Sequence, residues 1–336
     1  MKKHTQFLIA ALATIPASAA FACASCGCTL SSDWGAQGLS SEAGWSVDFR
    51  LDTLSQNQLR SGTGTIAPAN AAAVTNPATG NPAEVEKYTD NQYLTTTLDY
   101  NHGDSWGVTL TIPYIDRKHS TLGTGSDGSN PGPNGDSYES QGSGLGDVRV
   151  VGRYFGFSDA KNFGVQFGLK LPTGSTSQMS NDGTLPVDPG LQLGTGTTDL
   201  IVGAYFFDNI NQNWDYFVQG QYQTALANGY MGNGGNPGSY RPGDSVNLTG
   251  GLRYHGFDAF TPEVQINVRN ANTDSGSVAD TFATGGTLVY FTPGVTIPVT
   301  EHVSIHSSLQ IPIYQDLNGI QLAPTSIFSI GAHISF

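Results

Sequence analysis

All three cysteines of this 336-residue chain fall within the stretch CASCGCTLSSDW at 23–34. Their spacing, C-x-x-C-x-C, limits the chemistry open to Cys23, Cys26 and Cys28. No histidine follows Cys26 or Cys28, so the C-x-x-C-H pattern of haem attachment is absent. In an oxidising compartment two of the thiols can close a small disulfide loop, leaving one over. Three thiolates also suit a soft ion, Cu(I) or Zn(II), with a histidine or a partner residue as fourth ligand. A C-x-x-C pair with a lowered thiol pKa can exchange with a periplasmic redox protein. Finally, Cys23 can carry lipid, although Ala20 stands where a lipoprotein signal wants a branched apolar residue. Disulfide or thiol exchange ranks first and metal second.

The residues before the cluster explain why an oxidising compartment is expected. MKKHTQFLIAALATIPASAAFA has two lysines, an apolar run from Phe7 to Ile15 and small residues at Ala20 and Ala22, the plan of a signal peptide over 1–22. The expected order is then a cysteine-containing tail or plug over 23–43 and a main body over 44–336. Beyond the leader no apolar run reaches the ~18 residues of a membrane helix. Composition is nevertheless odd for a water-soluble globule, with 43 glycines, 12% charged residues and 10% aromatics. Net charge is −13, and loss of Lys2 and Lys3 makes it more negative, which argues against nucleic acid as a partner.

Periodicity resolves the contradiction. Trp45, Val47, Phe49 and Leu51 alternate with Ser46, Asp48, Arg50 and Asp52, and the same period of two recurs along the chain, as in Phe163, Val165, Phe167 and Leu169. About twelve strands follow. The faces opposite the apolar rows are too polar for a sandwich core. They carry Asp48, Arg50, Asp52, Asp99, Asp147, Arg149, Arg153, Lys170, Asp199, Asp215, Arg253, Glu263 and Arg269. Apolar outside and polar inside is the pattern of an all-β transmembrane antiparallel up-and-down barrel, with lipid as the hydrophobic partner. Gaps between strands test this. Long ones near 55–90, 116–144, 173–196, 226–243, 270–283 and 315–324 alternate with short ones at 101–105, 156–161, 208–212, 256–259 and near 300. That is the alternation of outer-membrane barrels, and an even strand count puts both termini in the periplasm. The closing SIFSIGAHISF, ending on Phe336, looks like the signal read by the barrel-assembly machinery of Gram-negative bacteria.

Three segments carry a family resemblance: GLGDVRVVGRYF (144–155), GLKLPTG (168–174) and LGTGTTDLIVGAYFF (193–207). In this order they resemble the outer-membrane transporter family named for the meta-pathway of phenol degradation, over about 90–336. The resemblance implies a porin-like barrel assisting uptake of aromatic compounds. The cysteine motif is not part of that family pattern.

Charge on the inward list is nearly balanced, which does not by itself select strongly for anions or cations. The expectation is an outer-membrane channel for passive or facilitated diffusion of small solutes. The competing class is a non-conducting scaffold that binds a metal or a periplasmic redox partner through its cysteine tail. No enzyme is expected. The nearest nucleophile pattern, HSS at 306–308, shows no evident Asn or Asp orienter. Asp127, Asp136, Asp182 and Asp188 sit in loops without calcium-loop spacing, and read as solvated turns.

Overall fold

The computed structural model describes residues 39, 43–77, 80, 83–122, 139–231 and 238–336. The leader and the three cysteines lie outside the described residues. Fifteen strands are present among those described: β1 (Gly44–Gly62), β2 (Gly64–Thr65), β3 (Glu86–Asn101), β4 (Trp106–Thr121), β5 (Glu139–Leu145), β6 (Val148–Tyr154), β7 (Phe163–Leu171), β8 (Asp199–Asn211), β9 (Trp214–Ala225), β10 (Gly229–Met231), β11 (Gly238–Tyr240), β12 (Ser245–Tyr254), β13 (Thr261–Ala271), β14 (Gly286–Pro298) and β15 (Val303–Ser335). Among the described residues helix is confined to α1 (Pro68–Ala71) and a 3-10 turn at Pro189–Leu191.

Antiparallel neighbours run β15-β14-β13-β12-β9-β8-β7-β6-β4-β3-β1, and β1 pairs back onto β15, closing the ring. No edge is left to satisfy, as a strand wall in hydrocarbon requires. Eleven strands form this ring, but the 33-residue β15 makes two crossings. Leu317 stands opposite both Gly286 of β14 and Gly62 of β1, so the chain climbs along one and descends along the other. The reversal passes Gly319, whose φ of 51° suits glycine. Ser307 Oγ donates to Ser329 O at 2.9 Å and Gln315 Nε2 to Pro324 O at 2.9 Å, joining the two legs. β5 and β6 together make another crossing: β6 pairs with Trp106–Thr111 and β5 with Tyr114–Ser120, with a break at Gly146 and Asp147. Twelve passes result, as the alternation predicts.

The faces divide as the pattern requires. On β1, Asp48, Arg50 and Asp52 are buried inside the ring while Phe49 and Leu51 are exposed outside. Val150, Phe167, Val218, Leu248, Ile266, Ile311 and Phe328 continue the exposed apolar belt around the wall. At the short-turn end a girdle of paired rings bounds it, including Trp45–Tyr100 at 4.8 Å, Trp214–Tyr254 at 4.9 Å and Tyr154–Phe157 at 4.9 Å. Such girdles mark a membrane interface. At the other end the belt stops near Leu94, Tyr114 and Phe328, above which the outer face carries Asp90, Gln92, Asp116 and Lys118.

Three expectations need correction. β1 persists to Gly62 through irregular register near Ser55–Gln58, and β4 persists to Thr121, so the walls rise beyond the belt where long gaps were read at 55 and 116. The stretch 315–324 is strand, not a long gap, because it is the reversal of β15. The interior is also not polar throughout. Toward the long-loop end Leu54, Tyr93, Ile115, Leu193, Leu288, Tyr290, Leu317, Ala323 and Ile327 form a buried cluster inside the ring. Higher still, Leu59, Ala83, Val85, Ile320 and Leu322 pack with Ala71 of α1. Loops cover these upper walls, so the side chains facing inward meet protein instead of water.

Candidate functional site

The barrel brings many of the charged residues expected to face inward together as pairs. Near the short-turn end Arg253 Nη2 lies 2.6 Å from Asp215 Oδ2, with His255 Nε2 2.9 Å from the same oxygen. Arg153 grips Asp99 through two bonds of 2.5 and 2.7 Å. Along the β1–β15 seam His306 Nε2 meets Asp48 Oδ2 at 2.6 Å, and Asp52 accepts from Arg50 at 2.9 Å and from Ser329 Oγ at 2.6 Å. Gln265 Nε2 reaches Glu263 at 3.5 Å, and Arg269 Nη1 donates to Asn247 Oδ1 at 3.1 Å. Charges this buried persist only when partners replace their water.

One group does more than pair. Lys170 Nζ lies 3.0 Å from both Asp147 and Asp199, and also meets Thr195 Oγ1. Asp147 sits at the break between β5 and β6, so its carboxylate is free of the strand ladder and faces the segment 172–198 that joins β7 to β8. There it accepts from Gly174 N at 3.0 Å, Thr195 N at 3.0 Å and Thr195 Oγ1 at 2.9 Å. Gly174 and Gly194 permit this approach. A Cβ on Gly174 would come within 2.7 Å of the Gly194 backbone, and one on Gly194 within 2.5 Å of Asp147 Oδ1. The three segments that carry the sequence resemblance thus converge on one point.

The joining segment is held inside the ring at a second place. Arg117 donates from Nη1 to Gly190 O at 3.2 Å and Gln192 O at 3.0 Å, from Nε to Asn91 Oδ1 at 2.6 Å, and from Nη2 to Tyr93 Oη at 3.0 Å. Leu193 then drops into the apolar cluster beside Tyr93 and Ile115. Arg117 was missed because 116 onward reads as loop, yet Ile115, Arg117 and His119 keep the inward period of β4.

Below the docked segment lies a cavity of about 140 Å³. Arg50, Arg117, Arg149, Lys170 and Arg269 line it with Asp147 and Asp199, and its apolar lining includes Tyr93, Ile115, Leu193 and Tyr240. Above the segment lies a second cavity of about 80 Å³, whose charged lining is Glu84, Glu86, Asp188, Asp274 and Asp280. Pro189, Gly190 and Tyr240 border both, so the 3-10 turn is their common partition. In the upper cavity, beyond the membrane belt, burial and then the Asp188 charge push Glu86 up to about 7. Burial, followed by Asp188 and Glu86, raises Glu84 well above the usual carboxylate range.

No family sequence model matches the chain, and no curated protein sequence matches it. Solved structures do. An outer-membrane channel from Pseudomonas putida F1 superposes with a TM-score of 0.64 at 12% identity, covering 92% of this chain and 100% of that one. That likeness, with the apolar belt and aromatic girdle, defines the class: the chain is a transmembrane antiparallel β-barrel of the outer-membrane kind. Fainter likenesses are to the CymD monoaromatic hydrocarbon channel, with a TM-score of 0.45 at 9% identity over 90% of this chain and 92% of that one. The P. putida toluene transporter TodX scores 0.43 at 9% identity, over 88% of this chain and 91% of that one.

Proposed function

We propose that the chain is a channel of the bacterial outer membrane for diffusion of small solutes, with its long-loop end outside and its termini in the periplasm. The observation that carries this reading is the docked segment 172–198. A barrel built only as an anchor has no use for a strap held by Asp147 and Arg117 across a lumen that keeps a cavity on either side. Pore-lining roles follow for Arg50, Arg149, Lys170, Asp147, Asp199 and Arg269, which border the lower cavity. Aromatic compounds as solutes rest on the sequence resemblance, and Tyr93, Tyr240, Ile115 and Leu193 give such a ring apolar contact.

The test is single-channel conductance of the purified protein in a planar bilayer. Discrete current steps are expected, and a barrel that never conducts overturns the reading. The scaffold alternative has one observation in its favour. Leu39 is buried against Tyr205, Phe217 and Phe207 on the inner wall. If the tail gates the lumen, Cys→Ser changes at 23, 26 and 28 raise the current; in an ungated channel they leave it unaltered.

A further inference from the structure

We propose that the lower cavity binds a small organic anion with an aromatic or short apolar body, an arylcarboxylate being its chemical class. This rests on the channel reading and names the solute of that same site. Five cationic side chains, Arg50, Arg117, Arg149, Lys170 and Arg269, stand in the wall against two carboxylates, Asp147 and Asp199. Adding Asp52, which accepts from Arg50, still leaves five cations to three carboxylates. Inside low-dielectric walls such an excess of one sign concentrates the opposite charge. The balance that holds for the inward faces as a whole fails here, because Asp48, Asp99, Asp215 and Glu263 do not border this cavity.

Size and polarity complete the argument. An apolar cavity of about 150 Å³ accepts benzene, and this one offers about 140 Å³. Tyr93, Ile115, Leu193 and Tyr240 supply contact for a ring, while guanidinium groups suit the planar two-oxygen geometry of a carboxylate. The acidic cavity above the partition repels the same anion, so the partition marks a boundary for it.

Isothermal titration of the purified full chain with benzoate, benzyl alcohol, benzylammonium and acetate tests this. Benzoate is expected to bind about tenfold or more tighter than benzyl alcohol, which lacks the charge-assisted contact, and than acetate, which lacks the ring. Benzylammonium should give no heat. R149Q combined with R269Q should weaken benzoate about tenfold and leave benzyl alcohol unchanged, whereas R149K with R269K, which keeps the charge but loses the planar fork, should bind benzoate more tightly than the glutamine variant and less tightly than wild type. Heat-modifiable gel mobility confirms that each variant is folded. Benzyl alcohol or acetate binding as tightly as benzoate overturns the proposal, as does full benzoate affinity in the folded glutamine variant. Current without benzoate binding overturns this site and leaves the channel; benzoate binding without current supports the site and overturns the channel.

Discussion

The two cavities share the turn Pro189–Leu191 as a partition and carry opposite charge, and the contrast shows what each is made from. The five cations of the lower cavity sit on barrel strands, where β-register sets Arg50 beside Asp52, Lys170 beside Asp199, Arg269 beside Asn247 and Arg117 beside Asn91. The acids of the upper cavity come from loops and strand tips: Glu84, Glu86, Asp188, Asp274 and Asp280. There no register imposes complementarity, and the crowding is relieved by holding protons, as the raised pKa values of Glu84 and Glu86 show.

Removing the partition is the severest way to break the comparison. Asp147→Ala withdraws the acceptor for Gly174 N, Thr195 N and Thr195 Oγ1, and one of the two carboxylates of Lys170. Breaking a buried charged network costs about 3–5 kcal/mol. The segment 175–192 should become a site of protease nicking and the two cavities should merge, read as a larger unitary conductance. Unchanged nicking and conductance would show that Asp147 does not hold the strap.

Arg117→Ala is milder, because the Lys170 cluster survives. Bonds from a charged donor contribute about 1.5–3 kcal/mol each, and those to Gly190 O and Gln192 O are the ones that fix the turn. Frequent flickering to a higher-conductance level is expected, with the denaturation temperature of the barrel little altered. A steady wild-type trace would assign the docking to Asp147 alone.

The pH dependence sharpens the contrast instead of breaking it. Glu86 holds its proton up to about 7 in the folded state, against an ordinary value of 4.5. The native state therefore binds more protons than the unfolded one between these values, and stability falls as pH rises from 4.5 to 7 and then levels. The loss is roughly 3 kcal/mol at most. Glu86→Gln should flatten that slope in a denaturant titration. Reversal potentials in a salt gradient should move toward cation preference as pH is raised through 7 in wild type, and move less in the variant, where Glu84 remains.

The smallest effect concerns the reversal of β15. A Cβ on Gly319 would come within 2.5 Å of Phe282 O and occupy a left-handed backbone. Gly319→Ala should cost about 1–2 kcal/mol and leave both cavities, and hence conductance, as they were. A changed conductance would tie the rim to the pore.

Much of the wall is legible in the sequence because lipid and lumen impose a strict period of two, as in Asp48, Arg50 and Asp52 behind Phe49 and Leu51. The period survives in β4 beyond the belt, where Arg117 keeps its place, but there the outward partners Asp116 and Lys118 turn polar and mimic a loop. The docking of 172–198 is hidden for a different reason. Gly174 acts through its backbone N–H and Thr195 partly so, and every residue but proline possesses that group, so spacing does not distinguish them. Glu84, Asp188 and Asp280 are scattered over three connections, and only the closed ring brings them together. The apolar layer around Tyr93 and Ile115 escapes the inside-polar rule because the strap, not water, fills the lumen at that height.

The seam of the ring bears on how the molecule assembles. Neighbouring strands elsewhere are hairpins of short sequence separation, but Asp48 meets His306 across 258 residues and Asp52 meets Ser329 across 277. Bringing such distant points together costs about 5 kcal/mol of chain entropy, recovered only when the long β1–β15 ladder zips. Local hairpins can therefore form early while the cylinder stays open, and circularisation is one late event in which the wall gains its cooperativity. A change at the Asp48–His306 pair should slow closure far more than an equal change in the middle of the chain.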